Sequence, residues 1–384
     1  MLNIGGEQVL TIDSDAHVIE TEETWLYLEP AEQKYRPRLV GSPDNEREQY
    51  WVLEDKVIGF RFPNLTAAEL ETLSKQVGRE LTTPADSRDM SRVDRRLEHM
   101  DQIGLDVQVL HNTLWITRLT DRIAAEVALC RSYNRWLGDI WAHANGRLRW
   151  TCMPPTLSMA DALDEVRWCK QHGAAGICMR PLEGERTMLD PYFYPLYEEA
   201  QRLDMPIAVH IANGNPGNVD LVRVSRSWQF RLPTLGGCIA YLQSEIAELF
   251  PRLRVGFIEA GAQWLPWVLN LAVNGNVPKL RGFPPAELLR TQRVWVTCEN
   301  RDDVAYVSRI AGEDNLLIGT DYGHTDPSSN IHALNEFAAT PNLSDTAKKK
   351  IVRDNALEFY GIAEAELPGH AKQTAGTVAA GVPA

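Results

Sequence analysis

The sequence predicts an α/β fold, a (β/α)8 TIM barrel with a cap-like insertion after the first strand. Two observations lead to this fold class. Short apolar segments recur eight times between Val9 and Tyr360, and helical segments separate them from one another. Strands that alternate with helices form a parallel sheet covered on both faces, and eight such units can close into a barrel. In addition, side chains of the metal-binding types stand at the ends of several of these segments.

The first predicted strand ends in Ile12-Asp13-Ser14-Asp15-Ala16-His17, and a long insertion follows it. From residue 91 onward, helices and strands alternate regularly. Gly104 ends the first helix and Pro154-Pro155 stops the third strand, as glycine and proline commonly do. The later strands are predicted at residues 105–111, 148–153, 175–179, 206–210, 254–259, 293–298 and 315–321. Helices are predicted at residues 91–103, 121–144, 158–172, 192–203, 234–250, 264–273, 302–310 and 344–360.

The insertion covers about residues 23–90 and contains several prolines and two aromatic-rich stretches. Residues 50–57 could form a small hairpin. A loop of this length is usually functional or disordered, and its aromatic residues argue against disorder. We therefore expect a cap over a site, or an interface. Residues 1–367 are expected to form one barrel domain, and the tail at 368–384, rich in Ala, Gly and Thr, is expected to be disordered.

Composition narrows the class of protein. The chain has 384 residues and a net charge of −13, without a basic patch, so we expect no nucleic-acid partner. No apolar run approaches the ~20 residues of a membrane span, and the residues at 1–6 do not resemble a signal peptide. The six cysteines are scattered. Reduced, buried thiols in a cytoplasmic protein are therefore expected.

The predicted strand ends concentrate residues that can bind a metal ion or a substrate. Because side chains alternate along a strand, Asp13, Asp15 and His17 lie on one side of the first strand. The active site of a TIM barrel lies at the carboxyl ends of its strands, so all these ends meet at one mouth. The later strand ends supply His111, Arg180, His210, Glu259, Glu299, Asn300 and Asp321. Asp13 lies deeper and is expected to support the ligands rather than to bind metal.

Four stretches together resemble the amidohydrolase superfamily. They are Ile12-Asp13-Ser14-Asp15-Ala16-His17, Pro206-Ile207-Ala208-Val209-His210, Glu259-Ala260-Gly261-Ala262-Gln263-Trp264 and Gly319-Thr320-Asp321-Tyr322-Gly323-His324. The resemblance is to the branch of aminocarboxymuconate-semialdehyde decarboxylase and the resorcylate-type decarboxylases. It implies a metal-dependent barrel enzyme, often dimeric, that acts on small organic acids. It also implies Asp15, His17, His210 and Asp321 as metal ligands, with Asp321 also moving a proton.

One departure from that branch decides the expected reaction. The decarboxylases place a histidine at the end of the sixth strand, where this sequence has Glu259. A carboxylate there can take a proton from water or bind a second metal, so the sequence favours a hydrolase of an ester, thioester or amide. Decarboxylation of an aromatic or enoic acid is the alternative, and a non-catalytic binding barrel is a third. The expected cofactor is Zn²⁺, Mn²⁺ or Fe²⁺, as one ion, with two possible through Glu259.

Further residues complete the expected site. Asp321, Glu259 and His324 are the expected catalytic residues, with Glu259 also a candidate ligand. His111, Arg180 and Trp228 are candidate substrate contacts. Arg223, Arg226 and Arg231 fall in the loop after the fifth strand, where a solvated loop is favoured over an anion site. Trp25, Trp51 and Trp115 could line an apolar pocket or pack in a core. The expected partners are a small-molecule substrate and a second copy of the chain.

Overall fold

In the computed structural model, eight parallel strands lie side by side in the order in which they occur along the chain. The structure describes residues 1–44, 48–61, 65–222, 224–299 and 301–367. The strands are β1 (Ile12–His17), β2 (Val107–His111), β3 (Leu148–Cys152), β4 (Ala174–Met179), β5 (Ile207–His210), β6 (Val255–Ile258), β7 (Val294–Cys298) and β8 (Leu316–Ile318). The predicted (β/α)8 barrel is thereby confirmed.

Residues just beyond β8 return to β1 and bring the two ends of the sheet together. The amide of His17 donates to the carbonyl of Tyr322 at 2.8 Å, and the amide of Asp321 donates to the carbonyl of Asp15 at 2.8 Å. The buried carboxylate of Asp13 accepts the amide of Thr320 at 2.9 Å and its hydroxyl at 2.5 Å. These bonds fix the ends of β1 and β8 against each other, directly below the mouth of the barrel.

Helices cover the outside of the sheet. They are α1 (Val93–Ile103), α2 (Ile123–His143), α3 (Met159–Gln171), α4 (Tyr194–Arg202), α5 (Leu232–Gln243), α6 (Leu265–Asn274), α7 (Val304–Ala311) and α8 (Asn355–Tyr360). Gly104 ends α1 in the left-handed conformation with a φ of 78°, as its sequence position predicts. The helix predicted at 344–360 is instead an α-helix at Asp345–Lys349, a π-helical turn at Lys350–Asp354, and then α8.

The insertion after β1 forms a small antiparallel sheet of three strands, Arg38–Gly41, Gln49–Leu53 and Lys56–Phe60. The hairpin predicted at 50–57 corresponds to its second and third strands. Trp25, Trp51 and Trp115 pack against one another, with ring centroids 5.8–5.9 Å apart, and all three are buried. This aromatic cluster attaches the insertion to the barrel.

The remaining sequence predictions concern segments away from the site. All six cysteines are buried and free. No helix in the described ranges is long and apolar enough to cross a membrane. The tail at 368–384, predicted to be disordered, lies outside the described residues, as do Arg223 and Asn300.

Candidate metal centre

Four strand ends bring five metal-binding side chains together at the mouth of the barrel. Asp15 and His17 come from the end of β1, and His210 is the last residue of β5. Glu259 directly follows β6, and Asp321 lies three residues beyond β8. All five are buried. One ligand atom from each of Asp15, His17, His210 and Glu259 lies within 4.8 Å of all the others, and the same holds for His17, Glu259, Asp321 and His324.

The distances within this cluster fit ligands around a single ion. Nε2 of His17 lies 3.4 Å from Oδ1 of Asp15, 3.3 Å from Oε2 of Glu259 and 3.4 Å from Oδ1 of Asp321. Nε2 of His210 lies 3.4 Å from Oδ1 of Asp15 and 3.2 Å from Oε2 of Glu259. Two ligands at about 2.1 Å from a metal are about 3.0 Å apart in octahedral geometry and about 3.4 Å apart in tetrahedral geometry.

The same atoms have no hydrogen-bond partner within the described part of the chain. They are Oδ1 of Asp15, Nε2 of His17, Nε2 of His210, and both carboxylate oxygens of Asp321. Buried polar atoms are nearly always satisfied in folded proteins. In addition, Nδ1 of His17 donates to the carbonyl of Asn112 at 3.0 Å, which leaves the lone pair of Nε2 directed at the cluster. The donor set therefore fits a divalent cation.

Two of the ligand residues sit in an unusual backbone conformation. Glu259 has a φ of 59° and Asp321 a φ of 51°, both in the left-handed region that residues other than glycine rarely occupy. In each case a glycine with positive φ follows two residues later, Gly261 at 68° and Gly323 at 106°. Such strain persists where the surrounding structure holds it, and it clusters at functional sites. This left-handed conformation turns the chain sharply after β6 and β8, where the two carboxylates join the cluster.

Burial and mutual contact shift the proton affinities of the cluster strongly. Burial opposes a charge on His17, but the carboxylates of Asp15 and Glu259 outweigh it and raise the pKa of His17 to about 10. Burial opposes a charge on Asp15 too, but the imidazoles of His17 and His210 beside it hold its pKa below the usual range. Burial raises the pKa of Glu259, and it raises that of Asp321 well above its ordinary value. Binding of a cation here would release a proton from each carboxyl group that coordinates it.

A cavity of about 520 Å³ opens directly above the cluster. His17, His210, Glu259 and His324 lie at its polar floor, together with Asp326. The insertion supplies one wall, and Gly59 allows its close approach, because a Cβ there would lie 2.5 Å from Cδ1 of Leu114. The apolar and aromatic lining residues are Ile58, Phe60, Leu114, Trp115, Ile116, Ile211, Ala212 and Phe230.

His324 connects the cluster to the wall of the cavity. Its Nδ1 lies 2.7 Å from Oδ1 of Asp321, which is shorter than the spacing expected for two ligands of one ion. Its Nε2 lies 2.9 Å from Oγ1 of Thr113, whose hydroxyl donates to the carbonyl of Val18 at 2.7 Å. Because that hydroxyl has a single proton, Thr113 accepts from Nε2 of His324. His324 thus presents its other ring nitrogen to Asp321.

Three residues expected to contact substrate do not line this cavity. Nε2 of His111 lies 3.3 Å from the carbonyl of Ser14, and its Nδ1 lies 3.1 Å from Oγ1 of Thr151. Both ring nitrogens therefore have polar partners inside the barrel. Arg180, also expected to contact substrate, donates from its guanidinium to the buried Glu183 at 2.6 Å and 3.0 Å instead.

Trp228 is 54% exposed and lies on the outer surface of the segment after β5. Its neighbours Arg226, Gln229 and Phe230 line the cavity instead. The sequence placed three arginines in this segment but carried no signal for which of them faces inward, because the segment has no regular strand or helix period. Arg226 therefore lies at the cavity, in a segment where the sequence favoured a solvated loop. Of the three tryptophans considered for an apolar pocket, only Trp115 lines the cavity.

Comparison with known proteins agrees with this geometry. The family model described as Amidohydrolase matches residues 12–362. A 2-amino-3-carboxymuconate-6-semialdehyde decarboxylase from Dictyostelium discoideum is 23% identical over 290 residues, covering 70% of this chain and 76% of the relative. A gamma-resorcylate decarboxylase from Polaromonas sp. is 23% identical over 297 residues, covering 71% of this chain and 89% of the relative.

A solved structure has the same fold. It is a dihydroxybenzoic acid decarboxylase from Polaromonas sp. JS666 with bound manganese and the inhibitor 2-nitroresorcinol. The TM-score is 0.63 at 18% identity, and the match covers 94% of this chain and 100% of that chain.

These findings overturn the expectation of a hydrolase. The relatives are named decarboxylases, so the reaction inferred from Glu259 is wrong and the alternative is favoured. The inference assumed that a carboxyl group cannot act as an acid in place of an imidazole. Burial, however, raises the pKa of Glu259, and a carboxyl group with a raised pKa can hold and donate a proton.

Proposed function

The chain belongs to the amidohydrolase family, an enzyme family, and from this premise we propose that it is a metal-dependent, non-oxidative decarboxylase of a small aromatic or enoic acid. The observation that carries the proposal is the buried ligand cluster at the floor of an apolar-walled cavity. The names of the relatives support decarboxylation as the use of this site. The proposed substrate is small enough to bind inside a cavity of about 520 Å³.

One divalent ion is proposed, held by Asp15, His17, His210 and Asp321, with Glu259 beside these ligands as an acid. The spacings of 3.4 Å between Nε2 of His17 and the oxygens of Asp15 and Asp321, and between Nε2 of His210 and Asp15, support a single ion. Manganese is the first candidate because a structurally similar decarboxylase contains it, and zinc is also compatible with this donor set. Such an ion supplies positive charge that holds the oxygens of the substrate and stabilises the negative charge that develops on it.

Side chains of the protein are proposed to supply the proton that the substrate carbon takes up. In the reaction the bond between the substrate carbon and its carboxylate breaks, CO₂ leaves, and the electron pair stays on the carbon, where a proton replaces CO₂. Glu259 and His324 line the cavity and are the proposed groups that carry this proton. Asp321 exchanges a proton with His324 across their contact of 2.7 Å. The apolar walls destabilise the charged carboxylate relative to neutral CO₂, which favours the forward reaction.

The test is release of CO₂ by the purified protein loaded with Mn²⁺ or Zn²⁺. The panel contains hydroxybenzoates, among them 2,6-dihydroxybenzoate, and unsaturated dicarboxylic acids. In D₂O, proton NMR should show one deuterium at the carbon that lost CO₂. Asp321→Asn serves as the inactive control. Absence of CO₂ release from every acid, with the metal shown to be bound, would contradict the proposal.

We also propose that the protein acts as a homodimer. Leu221 (80%), Val224 (88%) and Trp228 (54%) are strongly exposed apolar residues on the segment after β5. A cluster of this kind on a protein surface often marks a protein interface. Light scattering coupled to size-exclusion chromatography tests this directly, and a monomeric mass across the accessible concentration range would contradict it.

A further inference from the structure

The segment after β5 forms one wall of the cavity and contributes an arginine to it. Arg226 immediately precedes a π-helical turn at Ser227–Arg231. Arg226, Gln229 and Phe230 line the cavity, and so do Ile58 and Phe60 of the insertion. Two segments that lie outside the barrel thus contribute to its walls.

Hydrogen bonds hold this wall in place at both sides of the site. The guanidinium of Arg231 donates to Oε1 of Glu299 at 2.8 Å and to the carbonyl of Ala260 at 3.2 Å, which ties the turn to the ends of β7 and β6. The side-chain amide of Asn213 donates to the carbonyl of Gln229 at 2.7 Å, which ties it to the end of β5. These bonds fix the turn that Arg226 precedes, while the side chain of Arg226 is itself exposed.

Arg226 differs from the other arginines near the mouth in its partners. Arg180 and Arg231 form ion pairs with Glu183 and Glu299 at 2.6 Å and 2.8 Å. Within the described part of the chain, no ion pair involves Arg226. Among the described lining residues, Arg226 is also the one lysine or arginine. An arginine that lines a cavity and forms no ion pair with a protein carboxylate can bind an anion from outside.

The charges around the cavity restrict which end of a substrate binds where. The floor carries the carboxyl groups of Glu259 and Asp326, so an anionic group binds there only with the help of a cation. The walls are formed largely by apolar and aromatic side chains such as Phe60, Leu114 and Phe230, which favour an uncharged hydrocarbon body. A second anionic group on the substrate then has Arg226 as its cationic partner.

From this arrangement we infer that Arg226 determines specificity by binding a second carboxylate of the substrate, so that the enzyme prefers dicarboxylic acids. This inference rests on the proposed function, because it assumes that the first carboxylate is the one removed above the ligand cluster. It deepens that proposal by naming the substrate class.

The experiment compares the three benzenedicarboxylates with their monoamides, which have the same shape and one negative charge fewer. Dissociation constants are measured by titration calorimetry on the metal-loaded protein. The best-fitting dicarboxylate should bind wild type roughly 10-fold more tightly than its monoamide, as expected for a charge-assisted pair. Arg226→Gln should reduce this ratio to near one, and Arg226→Lys should keep part of it.

Arg281→Gln is the matched control, because Arg281 is an exposed arginine away from the cavity and its loss should leave the ratio unchanged. A wild-type ratio near one for all three pairs, or an unchanged ratio in Arg226→Gln, overturns the inference.

This experiment measures binding, whereas the test of the proposed function measures CO₂ release, so the two proposals can fail independently. If no acid releases CO₂ but the ratio depends on Arg226, the proposed function fails and the carboxylate subsite stands. If CO₂ is released and the ratio does not depend on Arg226, the reverse holds.

Discussion

Replacing Glu259 by glutamine tests the cluster most directly. The substitution keeps the shape of the side chain and removes its negative charge. In the wild-type structure, Oε2 of Glu259 lies 3.3 Å from Nε2 of His17 and 3.2 Å from Nε2 of His210, so it directly neighbours two proposed ligands. Loss even of a group that supports a ligand lowers metal affinity by about 10–100-fold. We expect Glu259→Gln to lower Mn²⁺ affinity by at least about 10-fold.

The effect on turnover should be larger than the effect on metal binding. A glutamine side chain cannot carry the proton that the substrate carbon takes up. A positioned acid contributes about 10²–10⁴-fold, which corresponds to about 3–5 kcal/mol of activation free energy. We therefore expect CO₂ release by Glu259→Gln to fall by at least about 100-fold even when the metal is saturating.

Two measurements separate these effects. Metal content is determined after dialysis against buffered Mn²⁺, and CO₂ release is determined at saturating Mn²⁺. Glu165→Gln is the control, because Glu165 is also buried but pairs with Arg135 in the helical layer. It should lower stability and leave metal content unchanged. Wild-type metal affinity together with wild-type CO₂ release in Glu259→Gln would refute the reasoning.

Other substitutions test the proton-carrying residues, the cap and the response to pH. Asp321→Asn should lower CO₂ release by about 10²–10⁴-fold with unchanged circular dichroism, and near-normal release would exclude Asp321 from the reaction. Gly59→Val should raise KM, since its Cβ would lie 2.5 Å from Cδ1 of Leu114, and adding Leu114→Ala should restore KM if this contact is the cause. Burial lowers the pKa of His99 from 6.5 to about 4. Its neutral form therefore contributes up to about 3 kcal/mol of stability above pH 6.5, which is lost as the pH falls towards 4. Denaturant unfolding should show a smaller loss over that range for His99→Gln than for wild type, and equal losses would contradict the assignment.

The barrel and the grouping of the candidate ligands could be predicted because both depend on regular periodicity. Strands that alternate with helices leave a repeated apolar pattern, and a barrel brings every strand end to one mouth. Asp15, His17, His210 and Asp321 could therefore be assigned to one place without knowledge of any distance. Gly104 likewise marked the end of α1 by a general property of glycine.

The direction of a side chain at a strand end could not be predicted in the same way. His111 and Arg180 stand at strand ends, yet each finds partners inside the protein, and a direction of this kind depends on tertiary packing. For Arg180 one signal existed, since Glu183 follows three residues later and forms the ion pair. The left-handed conformations of Glu259 and Asp321 left no trace beyond the glycines that follow them. The expectation of a hydrolase treated Glu259 as an ordinary carboxylate, whereas burial, which the sequence does not report, raises its pKa.

The bonds between Asp13 and Thr320 join positions that are 307 residues apart. Asp15 and Asp321 lie immediately beyond this junction, so their carboxylates meet only after the last strand has docked on the first. During synthesis the ribosome releases Asp321 long after Asp15, His17 and His210 have emerged. A nascent chain that ends before β8 therefore holds an incomplete set of ligands. Tight capture of the metal is expected to be a late event in the maturation of this protein, after the barrel has closed.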